Sequence, residues 1–201
     1  MPRPYNKVGK VGIVMSVQSK PPRRRTTRLK NYDYSQTGCY FVTICSYRRC
    51  HIFGEISNGT MYLNDSGMIV SDCWIELPDH FTQIGLDAFV IMPNHVHGII
   101  MLNESTDSPK PSLGNVVGAF KSASTRIIRK VCGQSFGNVW QRNYYEHIIR
   151  NEESLDRIRQ YIIHNPLSWH LDRENQKAIG RDDFDLWITE QKSWPGKKTL
   201  L

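Results

Sequence analysis

The chain reads as an α+β protein: a ferredoxin-like antiparallel sheet with helices on one face, plus a further C-terminal helix. Three observations predict this. Residues 39–45, 86–92 and 96–102 are β-branched and aromatic runs of strand length. The stretches after Asp65 and after Asn115 carry apolar residues at helical spacing. The order along the chain is strand, helix, strand–strand, helix, strand, helix, which is the split βαβ plan.

Each element has a local reason. Residues 1–32 are rich in Pro, Gly, Lys and Arg without helical periodicity, and predict a basic, extended arm. Cys39-Tyr-Phe-Val-Thr-Ile-Cys45 predicts the first strand. Asn58-Gly59 predicts a hairpin turn within 51–64. Asp65 is placed to cap a helix reaching Leu77, with Met68, Val70, Cys73, Trp74 and Leu77 inward and Pro78 as its stop. Pro93-Asn94-His95 separates the strands 86–92 and 96–102, so these pair antiparallel. A polar loop over 105–112 precedes a helix over 115–131, whose apolar side is Val116, Val117, Phe120, Ile127 and Val131. Residues 139–149 are aromatic and strand-like. Asn151 caps the last helix, which ends near Asn165 because Pro166 disfavours an α conformation before it. The expected organisation is an arm at 1–32, one domain at 33–175 and a tail at 176–201. No internal repeat is present.

Composition narrows the class. The 201 residues are 39% apolar, 10% aromatic and 22% charged, too apolar for a disordered chain. No apolar run approaches a membrane span, and no small-residue cleavage site follows 11–17, so a cytoplasmic, nucleoid-associated protein is expected. The five cysteines (Cys39, Cys45, Cys50, Cys73, Cys132) show no C-x-x-C pair and read as free thiols. The net charge of +7 is unevenly spread: residues 1–32 hold nine basic residues and no acid, and 51–109 hold eight carboxylates and no Lys or Arg. Basic density returns over 110–159. That asymmetry suits a polyanionic partner, and equally a solvated tail.

Two motifs carry chemistry. In Pro93-Asn-His-Val-His-Gly98 the histidines lie two residues apart on a strand, so both imidazoles project to one face, about 7 Å apart along the backbone. Two neutral imidazoles so placed can bind one divalent metal. In Tyr161-Ile-Ile-His-Asn165, Tyr161 and Asn165 are neighbours at i and i+4, on the flank of a core stripe of Leu155, Ile158 and Ile162. Asn165 offers an amide oxygen to a hard cation. Taken alone, this helix favours the plainer reading of a boundary aromatic followed by a C-cap. His164 points away from Tyr161 and receives no role.

Together these motifs resemble the single-tyrosine HUH nucleases, and among them the REP-associated tyrosine transposases. The resemblance is carried by residues 40–45, Phe89 to Gly98, Val139 to His147 and Tyr161 to Pro166, and spans 28–174. It implies a metal-dependent single-stranded DNA endonuclease and strand transferase acting at or near DNA hairpins. It further implies Tyr161 as the nucleophile that becomes a 5′-phosphotyrosine, and His95, His97 and Asn165 as ligands of Mg²⁺ or Mn²⁺. Tyr144 and Tyr145 are rival nucleophiles, and with Trp140 candidate base-stacking aromatics. The DNA contacts expected are Lys121, Arg126, Arg129 and Lys130 on the second long helix, Gln141 and Arg142 near it, and Arg23, Arg24, Arg25 and Arg28 of the arm. Neither monomer nor homodimer is favoured. Two other readings stay open: a DNA-binding module without catalysis, and a histidine-triad-like nucleotide hydrolase, in which Ile99 stands where a third histidine belongs.

Overall fold

Alternation of side chains along one central strand, β1 (Gly38–Cys45), sets the layout of the molecule. In the computed structural model, which describes residues 32–104, 110–133 and 137–193, Tyr40, Val42 and Ile44 join one hydrophobic core and Phe41 joins a second. The remaining strands of that sheet are β4 (Ile84–Met92), β5 (His95–Leu102) and β6 (Tyr145–Ile149), in the order β4-β5-β1-β6. β1 pairs antiparallel with both β5 and β6, and β4 with β5, so the sheet has the ferredoxin-like order. A separate hairpin, β2 (Gly54–Ser57) and β3 (Thr60–Leu63), turns through Asn58 and Gly59, both at positive φ (50° and 73°).

On the first face lie α1 (Asp65–Ile75), the short α2 (Leu77–His80) and α3 (Leu113–Cys132). Trp74 of α1 is fully buried between Phe89 and Phe120 and presses on β5 at Gly98, where a Cβ would lie 2.3 Å from its ring. On the opposite face lies α4 (Glu152–His164), capped by Asn151, with Leu155, Ile158 and Ile162 against Phe41, Ile99 and Ile149. Arg159 ties α4 to the edge strand, donating to both carboxylate oxygens of Asp87 at a β4 bulge. No helix among the described residues is long and apolar enough to cross a membrane.

Several boundaries differ from the expectation. The residue capping α1 is Asn64, whose side chain accepts from the Gly67 N–H at 3.0 Å, and Asp65 falls in the first turn. α3 starts earlier because Ser112 and Asn115 form a reciprocal capping box. The β4–β5 turn is only Pro93-Asn94, which brings His95 into the ladder opposite Met92 and Cys45. The strand expected over 139–149 begins at Tyr145, since the Lys121 ammonium takes the carbonyls of Gln141 and Asn143, each at 3.0 Å, and turns that segment towards α3. Residues 176–201, expected as a tail, hold a further helix, α5 (Asp183–Ser193), whose Phe184 and Ile188 pack into the second core. The arm, with Arg23, Arg24, Arg25 and Arg28, lies outside the described residues. The five thiols are free.

Trp74→Ala removes the largest fully buried side chain of the first core and is expected to destabilise the protein by about 3–5 kcal/mol, read as a lower denaturant midpoint.

Candidate active site

The register of β5 places His95 opposite Cys45 and His97 opposite Thr43, with both imidazoles on the face covered by α4 and ring centroids 4.3 Å apart. Each ring is oriented by a neighbour. His95 Nδ1 lies 2.8 Å from Asn94 Oδ1, and the Asn94 amide nitrogen donates to the carbonyls of Glu174 (2.8 Å) and Arg49 (3.3 Å). The Asn94 oxygen therefore faces the ring, the His95 proton resides on Nδ1, and Nε2 presents a lone pair with no partner. His97 Nδ1 lies 2.9 Å from Thr43 Oγ1. Burial, together with His97, pushes the His95 pKa down to about 3, so the ring is neutral.

α4 delivers Tyr161. Its hydroxyl lies 3.2 Å from His97 Nε2 and 3.3 Å from a carboxylate oxygen of Asp172. Asn165, the C-cap of α4, donates its amide nitrogen to that same Asp172 oxygen at 2.8 Å, while its own Oδ1 is buried without a partner. Asp172 Oδ2 stands 3.7 Å from the Nε2 of each histidine. Burial opposes the Asp172 carboxylate, yet His97 and the Asn165 amide outweigh it and hold its pKa below the ordinary carboxylate range. The Tyr161 phenol moves the other way, raised well above its usual value first by burial and then by the Asp172 and Asp185 carboxylates.

The four residues that sequence motifs single out, His95, His97, Tyr161 and Asn165, thus converge. Asp172 was missed. It lies seven residues past Asn165, in a stretch with neither helix nor strand, and no periodicity marks it. The segment bearing it is pinned by its neighbour Glu174, which accepts from Arg49 (2.6 Å) and from the Cys45 thiol (3.3 Å) and whose N–H donates to Asp172 Oδ1. Arg173 adds ion pairs to Glu174 and to Asp185 on α5.

The donor set fits a divalent cation. One ligand atom each from His95, His97 and Asp172 lies within 4.8 Å of the others, and the two orphaned acceptors, His95 Nε2 and Asn165 Oδ1, are what such an ion would satisfy. The cluster is closed. His95, His97, Asp172 and Asn165 are at most 1% exposed, and Tyr161, at 8%, is the one member with an accessible edge. Phe184 stacks on the Tyr161 ring at 3.7 Å, and the Trp169 ring lies 6.0 Å from that of His95.

The basic residues expected on α3 form a groove on the opposite face. Lys121, Arg126, Arg129, Gln141 and Arg142 line one cavity of about 630 Å³, with Ser122, Thr125 and Asn138 added. Lys121 and Arg129 also brace its wall, Arg129 donating to the Gly137 carbonyl. Lys130 is exposed and outside this cavity. Trp140 belongs to the core, its indole N–H donating to Ser124. Tyr144 packs beside Lys121 and Tyr145 beneath Arg173.

Comparison with known proteins places the chain in a family and matches its fold. The family described as "Transposase IS200 like" matches residues 33–165. A Haemophilus influenzae protein of uncharacterized role is 42% identical over 167 residues, covering 75% of this chain and 92% of its own length. A REP-associated tyrosine transposase of Escherichia coli is 26% identical over 110 residues, 55% of this chain and 51% of that protein. The solved structure of a REP-associated tyrosine transposase bound to a REP hairpin shares the fold, with a TM-score of 0.53 and 21% identity over 71% of this chain and 73% of that one.

His95 is expected to remain neutral with its proton on Nδ1 at pH 5, measured by ¹⁵N NMR of the imidazoles; an imidazolium at that position contradicts the burial argument. Because its folded pKa of about 3 lies below the ordinary 6.5, the stability it contributes is full above pH 6.5 and is lost as the pH falls towards 3.

Proposed function

The chain belongs to the IS200-like transposase family, and on that footing we propose that it is a single-stranded DNA nicking and joining enzyme with Tyr161 as nucleophile. The observation that carries the reading is the Tyr161 hydroxyl standing 3.2 Å from His97 and 3.3 Å from Asp172, inside a donor set suited to a divalent cation.

In this reading Tyr161 Oη attacks the scissile phosphorus. The new O–P bond forms as the P–O3′ bond breaks, leaving a 5′-phosphotyrosine and a free 3′-hydroxyl. Asp172 orients the hydroxyl through its 3.3 Å hydrogen bond, the phenolic proton leaves to solvent, and the departing 3′-oxygen is protonated from the solvent side. Reversal with a different 3′-hydroxyl joins strands without an external energy source, since the phosphodiester energy is kept in the tyrosyl bond. His95, His97, Asp172 and Asn165 would hold Mg²⁺ or Mn²⁺, which would supply positive charge to polarise the phosphate and favour ionisation of the phenol. Two imidazoles favour Mn²⁺ over Mg²⁺, which prefers oxygen. Asn94 and Thr43 hold the rings with their metal-binding nitrogens inward, and Asn165 aligns the Asp172 oxygen.

The α3 groove supplies the DNA contact. Arg126 and Arg142 are exposed cations beside the hydroxyls of Ser122 and Thr125, a chemistry suited to phosphate oxygens. Since the relative solved with its ligand holds a REP hairpin, a hairpin with unpaired flanks is the expected substrate class here.

Incubation of the full chain with a labelled hairpin oligonucleotide and Mn²⁺ is expected to give a covalent protein–DNA adduct that chelation abolishes. Tyr161→Phe is expected to give none; an adduct that persists in that variant refutes the assignment. Asp172→Asn is expected to lower Mn²⁺ affinity by about 10-fold or more, by calorimetry. Hairpin binding should weaken steeply with salt, and less so for Arg126→Ala than for the wild type. Equal affinity for duplex and single strands would overturn the single-strand reading.

A further inference from the structure

The buried cluster adjoins a cavity through Tyr161, and the walls of that cavity differ in character. A cavity of about 250 Å³ lies between α4 and the start of α5, and Tyr161 is the only cluster residue that reaches it. Its α4 wall is a single polar stripe, Arg157, Gln160, Tyr161 and His164, at the i, i+3, i+4, i+7 spacing that puts residues on one helical face. Ser168 extends that wall, and Asp182, Asp183 and Phe184 form the other. His164, which helical position alone appeared to direct elsewhere, therefore shares the cavity with Tyr161.

The groups on the stripe are available to a ligand. The Arg157 guanidinium lies over the Trp187 ring, 4.7 Å from its centroid, and makes no ion pair among the described residues. Stacking on an aromatic face leaves the N–H edge of a guanidinium pointing outward, in the fork that matches a phosphate. His164 donates Nδ1–H to the Gln160 carbonyl at 2.8 Å, which leaves Nε2 outward as a lone pair, an acceptor for a base N–H rather than a partner for a phosphate oxygen. Arg157 and His164 are both exposed, one helical turn to either side of Tyr161. The Asp182 carboxylate is partly used in accepting from the Phe184 N–H, and the Asp183 carboxylate joins it as the negative charge on this face of the cavity.

We propose that this α4 stripe is a phosphodiester-binding subsite, in which Arg157 holds the single-stranded backbone next to the scissile phosphate while His164 Nε2 accepts from the adjoining base, and the strand is so aligned with Tyr161. The inference rests on the nuclease reading above and deepens it. The ligand is the sugar–phosphate backbone of an unpaired DNA strand, because the cavity has room for one nucleotide and none for a duplex. Asp182 and Asp183 present carboxylates to this space in the DNA-free protein and repel the incoming strand. Arg157 and His164 are positioning residues, separate from the α3 groove that binds the hairpin.

The test uses the full chain and a hairpin oligonucleotide with unpaired flanks of mixed sequence. Arg157→Gln is expected to slow covalent adduct formation by about 10-fold, with hairpin affinity and thermal midpoint unchanged. Arg157→Lys restores part of the rate, His164→Ala lowers it by a smaller factor, and Asp182→Asn with Asp183→Asn raises it. Wild-type rates in both Arg157→Gln and His164→Ala, beside a wild type that forms adduct, overturn the subsite and leave the nuclease reading standing. Absence of adduct in the wild type overturns both. A second measurement does not depend on cleavage: Tyr161→Phe is photocrosslinked to the same oligonucleotide carrying 4-thiothymidine at successive flank positions. Crosslinks within 157–168 support the subsite, and crosslinks confined to the α3 groove refute it.

Discussion

A carboxylate with no exposure, Asp172, organises one end of this molecule. Burying such a charge is costly unless hydrogen bonds and opposite partial charges surround it. Here the Asn165 amide, the Tyr161 hydroxyl and the Glu174 N–H all donate to it, and both histidine rings stand at 3.7 Å. To assemble that shell, the chain after α4 must fold back across the sheet. Glu174 secures the return, reaching Arg49 and Cys45 at the end of β1, while its carbonyl accepts from Asn94 in the β4–β5 turn. The same contact that anchors the loop thus orients Asn94, and through Asn94 the His95 ring.

The interior so built is rich in lone pairs and poor in positive charge. The neutral His95 imidazole, the His97 ring, a carboxylate and an orphaned amide oxygen surround a phenol whose ionisation the site opposes. Such a cage makes little sense as protein packing, since apolar residues of similar volume would fill it at lower cost. Its donor set suits a divalent cation. On the proposed reading the raised phenol pKa carries the same message: the protein aligns the Tyr161 hydroxyl and leaves its activation to the positive charge of a bound cation.

How much of this was legible in the sequence follows from the range of each signal. The strand runs, the Asn58-Gly59 turn and the helical stripes are local patterns, and they located every major element of the sheet. His95 and His97 were legible because a two-residue spacing on a strand fixes a shared face. The i, i+4 spacing put Tyr161 and Asn165 on one helical face, but alone it favoured a boundary aromatic and a C-cap, and the family resemblance is what singled them out. Asp172 was not, because it acts from an irregular segment whose position depends on Glu174 meeting residues more than a hundred positions earlier. α5 escaped for a related reason: its sequence is weakly amphipathic, and it is held by Phe184 on Tyr161 and by Asp185 on Arg173, contacts between elements rather than within one. Cap positions shifted by one to three residues where a side chain, Asn64 or Ser112, competed for the first free N–H.

The two faces of the sheet divide the work, and their junction bears on what kind of nucleic acid fits. The groove lies on the α3 face and the cluster on the α4 face, yet they meet at the end of β1: the Gln141 N–H donates to the Cys45 carbonyl, and Cys45 is paired with His95. The backbones of Gln141 and His95 there lie two neighbouring strand spacings apart, about 10 Å. A duplex, with a persistence length of about 50 nm, cannot pass from one face to the other within that distance. An unpaired strand can. On the proposed reading, preference for single-stranded flanks therefore needs no base-specific contact: it follows from placing the phosphate-binding groove and the nucleophile around a corner that only a flexible backbone can turn.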